Sequence, residues 1–138
     1  AARQREIDFV LIAARGSSDH AAVYAQYALG VLANMPVGLA APSVISRYGG
    51  HPRLRRALVI GISQSGRSPD VVGVLAEAAS QGALTAAITN DPGSPLAAAV
   101  EHHLDLAALG ELDGSPREIY LSDPSKEEPR MEIAWPIR

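Results

Sequence analysis

A chain of 138 residues carries enough sequence for one hydrophobic core, and with no cysteine it can build neither a disulfide framework nor a thiolate metal site. Its net charge of −3 comes from 12 basic and 15 acidic residues scattered along the chain, so no basic patch points to nucleic acid. No apolar stretch approaches the roughly 18–20 residues of a membrane span and no secretory signal is visible, so no membrane partner is expected and the expected location is cytoplasmic.

Residues 1–6 are polar and expected to fray. Asp8–Ala14, DFVLIAA, is a continuous apolar run, the pattern of a parallel strand buried on both faces. It ends in Arg15-Gly16-Ser17-Ser18-Asp19. A helix rich in Ala and Leu follows from Asp19 to Ala33, its apolar face read through Ala22, Tyr24, Tyr27, Ala28, Val31 and Leu32. Asn34-Met35-Pro36 ends the helix, and Val37–Ala41 is a short strand. Pro42–Tyr48 fits a short helix or an ordered loop, and Gly49-Gly50-His51-Pro52 breaks it.

The stretch Ala57–Asp70, ALVIGISQSGRSPD, organises the rest. Its apolar half reads as a second buried strand. Ser63-Gln64-Ser65-Gly66-Arg67-Ser68 reads as a tight loop, and VVGVLAEAASQ as a helix with Ser68 as N-cap and Pro69 in the first turn. A strand, a Ser/Gly loop and a helix aim backbone N–H groups, hydroxyls and the positive end of a helix dipole at one point, which suits an anion and above all a phosphate. Any strand-to-helix loop favours Ser and Gly for turning and capping, but capping needs one such residue, and here Ser63, Gln64, Ser65 and Ser68 stand together. The loop has neither the GxxxxGK[ST] lysine nor the GxGxxG spacing, which argues against ATP, GTP and NAD; no cofactor is expected.

Gly82 ends that helix as a C′ residue, and Ala83–Thr89 is a fourth strand. Asn90-Asp91-Pro92-Gly93 is a turn, Ser94 caps a short helix over Pro95–Val100, and His103–Ala107 is a fifth strand. Strands alternating with helices over short loops make an α/β domain with a parallel sheet and right-handed crossovers. The expected fold is a flavodoxin-like three-layer sandwich with five strands in the order 2-1-3-4-5. Its ligand crevice lies between strands 1 and 3, the two that lead into the Ser/Gly loops. After Leu109 the texture changes. Arg117–Leu121 and Met131–Ile137 read as a hairpin or strand pair. The chain therefore divides into residues 1–109 and an extension, 110–138. No Ala-rich helix follows the fifth strand and no long helix precedes the first, so the domain is expected to be incomplete or covered by another copy of itself.

The segment Asp8–Leu106 resembles a sugar isomerase (SIS) domain through ARGSSDHAA at 14–22, APSVISRYGG at 41–50 and GISQSGRSPDVV at 61–72. It is similar to the first of two SIS halves in the isomerase region of glucosamine-6-phosphate synthases, and through its APSV element it resembles SIS-type glucosamine-6-phosphate deaminases and aminosugar-phosphate isomerases more closely. The resemblance implies that Ser63, Gln64, Ser65 and Ser68 bind the phosphate and nearby hydroxyls of a hexose or aminosugar phosphate. Gly16, Ser17 and Ser18 would line the sugar side. It also implies aldose–ketose isomerisation, with or without loss or transfer of ammonia, through a general base that two-half members carry in their second half and C-terminal tail. No matching motif for that base is present, so the catalytic residues stay unassigned. Three readings remain open: half an enzyme, inactive alone; an enzyme completed by self-association, with Glu111 or Glu118 as base; or a sugar-phosphate sensor acting on a partner. A homodimer or a second SIS half is expected in the first two. PREIYLSDPSKEEPRMEIAWPIR resembles the closing strands of gyrase-inhibitor-like effector-binding domains; a family-specific extension forming an edge hairpin accounts for it equally.

No other group reads as a site from sequence. His20 lies in a first helical turn, where solvation is the ordinary fate, and the adjacent His102 and His103 face opposite ways on a strand, so no metal site is expected. His51 precedes a proline and fits a loop, or a group donated to a neighbouring copy. Arg67 either adds charge to the anion loop or faces solvent, and Glu77 reads as surface. Asp19 and Asp70 suit the helix dipole but oppose a phosphate, so both are expected to turn away from it. Tyr120 and Trp135 read as burial anchors of the extension.

Overall fold

The computed structural model describes residues 5–105 and, as backbone alone, two strands at 117–120 and 131–134. The chain divides into two compact units, Ala1–Asp105 and Leu106–Arg138.

In the first unit the apolar runs become strands β1 (Phe9–Ala13), β2 (Val37–Leu39), β3 (Ala57–Ile62), β4 (Leu84–Thr89) and β5 (His102–Asp105). They form one parallel sheet in the order β2-β1-β3-β4-β5, as expected. Helices α1 (Ser18–Ala33), α2 (Ser43–Ser46), α3 (Pro69–Ser80) and α4 (Pro95–Ala98) fill the crossovers. The Pro42–Tyr48 stretch thus contains a short helix. The fifth strand begins one residue earlier than the sequence suggests, and α4 is a single turn. β1 and β3 are neighbours, with Ala13 paired to Gly61. Their carboxyl ends form the point where the strand order reverses, and loops 14–17 and 63–68 leave from it.

Two cores flank the sheet. On one face Val59, Ala57, Ala13 and Ala87 meet Val71, Val74, Leu75 and Ala78 of α3 and Leu96 of α4. Gly61 is a glycine because a Cβ there would lie 2.8 Å from Leu75 Cδ2 and 3.0 Å from Leu96 Cδ1. On the other face Val10, Ile12 and Ile62 meet Ala22, with Ala21, Ala25 and Leu29 of α1 packed against them. This face is the thinner. Leu58, Ile60 and Ile88 are only partly buried, and Leu104 on β5 is exposed.

The face of α1 departs from the sequence reading. Ala22 is buried, but Tyr24, Tyr27, Val31 and Leu32 are exposed, with Tyr27 at 71% and Val31 at 73%. Alanine at 21, 22 and 25 lets the helix lie close on the sheet, and the larger apolar side chains are left on the outer surface.

The second unit contains β6 (Arg117–Tyr120) and β7 (Met131–Ala134), paired antiparallel with Arg117 opposite Ala134. This is the expected strand pair. Glu111 and Trp135 lie outside the described residues, as do the side chains of Glu118 and Tyr120. Among the described residues no helix is long and apolar enough to cross a membrane.

Candidate functional site

The loop after β3 is built by its own hydroxyls. Ser63 is 8% exposed, and its Oγ accepts the Gly66 N–H at 3.1 Å, so this serine closes the turn. Gly66 takes the left-handed conformation at φ 65°, which glycine adopts without a Cβ penalty. Gln64 and Ser65 are exposed, and Ser65 Oγ accepts the Arg67 N–H at 3.3 Å. Each serine still has its hydroxyl proton to donate. Ser68 stands at the N-cap of α3 with extended backbone, but its hydroxyl makes no cap hydrogen bond. The first turn of α3 therefore keeps N–H groups without a side-chain cap, and Pro69 has none to offer.

The loop is pinned from one side by the segment after β4. Gln64 O accepts both Thr89 Oγ1 and the Asn90 N–H at 3.1 Å, and Gly66 O accepts the Leu96 N–H at 3.0 Å. Asn90 Oδ1 is buried without a partner and leaves a spare acceptor at the loop's flank. Arg67 Nη2 reaches Asp91 Oδ2 at 3.1 Å, so it neither hangs free nor adds an unpaired charge to the loop. Ser94 does cap its helix, accepting the Ala97 N–H, in contrast to Ser68 and to Ser17 at the start of α1.

The other loop runs through Gly16, at φ 63°, with Asp19 N–H donating to Gly16 O at 3.1 Å. Gly16 and Ser17 are exposed and Ser18 is half-buried. The two loops meet. Arg15 Nη1, at the end of β1, lies 2.8 Å from Asp70 Oδ2 in the first turn of α3. The loop carrying Gly16, Ser17 and Ser18 and the loop carrying Ser63, Gln64, Ser65 and Ser68 leave neighbouring strands at the sheet's switch point, and this ion pair ties the first loop to the start of α3. Asp70 has turned to a cation, while Asp19 is exposed. The chemistry on offer is anion binding, from uncapped helix N-termini, hydroxyl donors and a guanidinium. Arg15 escaped the sequence reading. Its position directly before the glycine of a strand-to-helix loop was the available signal.

The remaining candidates lie elsewhere. His51 Nδ1 is 3.2 Å from Glu77 Oε1 near the C-terminal end of α3, at the opposite end of the sheet from the loops. Glu77 is not a solvated surface group. Its side chain is 17% exposed and its Oε1 accepts Gln81 Nε2 at 2.8 Å, which holds its carboxyl below the usual glutamate range, with His51 adding to the effect. Arg56 likewise lowers Asp8, and Arg5 lowers Glu101, both at that same end. His20 and His102 are exposed and His103 is half-buried. Among the described residues no three His, Asp or Glu side chains gather to hold a metal ion.

Comparison with known proteins bears on the family and the fold. The family model of the SIS domain matches residues 5–112. A glutamine–fructose-6-phosphate aminotransferase (isomerizing) of Gloeobacter violaceus is 36% identical over 107 residues, 78% of this chain and 17% of that protein. The chain therefore spans under a fifth of that relative's length. The crystal structure of a candidate phosphosugar isomerase from Silicibacter pomeroyi DSS-3 superposes with a TM-score of 0.71 at 48% identity, covering 75% of this chain and 32% of that one. The sugar isomerase domain of an RpiR transcription factor from Sphaerobacter thermophilus superposes with a TM-score of 0.60 at 27% identity, covering 72% and 56%. The family model covers well over half of the chain, and the chain belongs to the SIS domain family.

Proposed function

We propose that this chain is a sugar-phosphate-binding module that takes a hexose or aminosugar 6-phosphate between its two Ser/Gly loops. Ser63, Gln64, Ser65 and Ser68 hold the phosphate, and Gly16, Ser17 and Ser18 line the sugar. The observation that carries this reading is the meeting of the loops, with Arg15 Nη1 2.8 Å from Asp70 Oδ2. It is supported by two of the relatives, a fructose-6-phosphate aminotransferase and a candidate phosphosugar isomerase.

Residues 1–109 form the binding unit, 110–138 an extension, and the setting is cytoplasmic. The module is half of an aldose–ketose isomerase or aminosugar-phosphate deaminase and is inactive alone. A second SIS fold completes it, supplied to the isolated chain by a second copy. The thin sheet face and the exposed Tyr24, Tyr27 and Val31 of α1 support that partner, since contiguous apolar surface marks an interaction site. The RpiR domain favours a second reading, a sensor whose bound sugar phosphate controls a partner protein.

Isothermal titration with glucosamine 6-phosphate and fructose 6-phosphate tests the binding reading. Heat of binding together with protection from thermal unfolding is expected. No heat and no protection with either sugar overturns it. Ligand-dependent capture of a partner, without isomerisation, would select the sensor reading.

A further inference from the structure

We propose that Asp70 competes with the ligand for Arg15, so that this carboxylate sets the affinity of the anion site and Arg15 is a phosphate-binding residue in its own right. The inference rests on the sugar-phosphate reading and deepens it. Arg15 follows β1 by two residues and its side chain is 57% exposed, so solvent reaches its ion pair. Its Nη1 lies 2.8 Å from Asp70 Oδ2, in the first turn of the helix whose N-terminus has no side-chain cap. The guanidinium of one loop therefore already stands beside the first turn of the helix that the other loop enters. Arg carries five N–H donors in a rigid fork suited to phosphate, and Asp70 holds one of them.

An exposed Arg–carboxylate pair is weak, and a two-point contact with a dianion is stronger, so exchange of partner favours the ligand. Asp70 opposes it twice. It occupies the guanidinium, and it sets a negative charge beside the incoming phosphate. Asp70 also suits the α3 dipole, which accounts for a carboxylate at that position. The arrangement admits a second interpretation, a brace that merely fixes the spacing of the loops. The two differ in sign. A brace weakens binding when either partner is removed, whereas a competitor strengthens it when removed.

Titration of the full 138-residue chain with fructose 6-phosphate and with inorganic phosphate decides between them. Arg15→Ala is expected to weaken both by about tenfold or more, the loss of a hydrogen bond to a charged group, with Arg15→Lys retaining part of the affinity. Asp70→Asn is expected to tighten both by roughly threefold or more through the removed charge. The double variant should bind better than Arg15→Ala by the removed repulsion alone, and well below Asp70→Asn. Weaker or unchanged binding by Asp70→Asn overturns the proposal, as does an Arg15→Ala variant with wild-type affinity. Wild-type protein that binds neither probe overturns the underlying sugar-phosphate reading, an outcome distinct from wild-type binding that the variants leave unmoved.

Discussion

Gly66 lies against Ser94 so closely that a Cβ on the glycine would stand 2.1 Å from the serine Oγ and 2.9 Å from Thr89 Oγ1. The loop after β3 is thereby seated on the segment after β4, and its shape depends on a missing side chain. Gly66→Ala should therefore disturb both fold and site. The left-handed backbone alone costs an L-residue about 1–2 kcal/mol, and the clash adds to it. The expected result is a melting temperature lower by several degrees and no detectable binding of fructose 6-phosphate. A variant that keeps wild-type affinity would show that the loop's conformation does not matter to the ligand.

Ser65 provides the complementary experiment, because it is exposed and contributes little to the fold. Its Oγ accepts one long hydrogen bond from Arg67 N, at 3.3 Å. Ser65→Ala should leave thermal stability nearly unchanged and weaken phosphate binding by about 1.5–3 kcal/mol, the value of a hydrogen bond to a charged group. Ser63→Ala should differ, since Ser63 is buried and closes the turn onto Gly66 N. There stability should fall by roughly 1 kcal/mol together with affinity. Calorimetry and thermal melts on both variants separate the two serines. Equal effects would contradict their assigned positions.

The strands were legible because they are local statements: FVLIA and ALVIGI are unbroken apolar runs, and only a strand covered on both faces tolerates them. Order followed from crossover rules, and the loop pair followed from order. Three features were not local. The packed face of α1 could not be read because alanine fits either side of a helix, so spacing alone favoured the larger Tyr24 and Tyr27. The Arg15–Asp70 pair joins positions 55 residues apart, and although Arg15 precedes a loop glycine, nothing local names Asp70 as its partner. Glu77 was read as surface because its partners His51 and Gln81 come from a loop and from the next helical turn, and only the fold brings all three together. Ser68 was placed correctly at the N-cap, but its role there was not legible. It stands where a cap belongs, but the hydroxyl does not make the bond.

The Glu77 cluster makes acid sensitivity testable. Gln81 joins three groups, with its Oε1 accepting the Leu54 N–H and its Nε2 donating to Pro52 O and Glu77 Oε1, each at 2.8 Å. This ties the segment before β3 to the end of α3. The hydrogen bond from Gln81, aided by His51, lowers the Glu77 pKa in the folded chain. A group with a depressed folded pKa adds stability above its unfolded pKa, near 4.5, and that contribution is lost as pH falls through the lower folded value. Glu77→Gln should therefore be less stable than wild type at pH 7, and the gap should narrow as pH drops below about 4.5. Thermal melts of both proteins across that range measure it. A gap that does not change with pH would mean that the carboxylate's charge contributes nothing.

The exposed stripe on α1 gives the last prediction. Between Asp19 and Arg47 the chain has no Asp, Glu, Lys or Arg, so α1 presents Tyr24, Tyr27 and Val31 with almost no charge to oppose a second copy. A two-fold contact places each residue against its own surface, and a neutral apolar stripe is complementary to itself. Tyr27 and Val31 take no part in either core, so replacing both by glutamate should leave the unit folded. Across a symmetric interface the same change sets like charges against each other and buries them, which association does not tolerate. Light scattering at micromolar concentration should find wild-type dimers and Tyr27→Glu/Val31→Glu monomers with equal helix content. Wild-type monomers would remove the second copy as the partner of this face. A variant that still dimerises would move the contact away from α1.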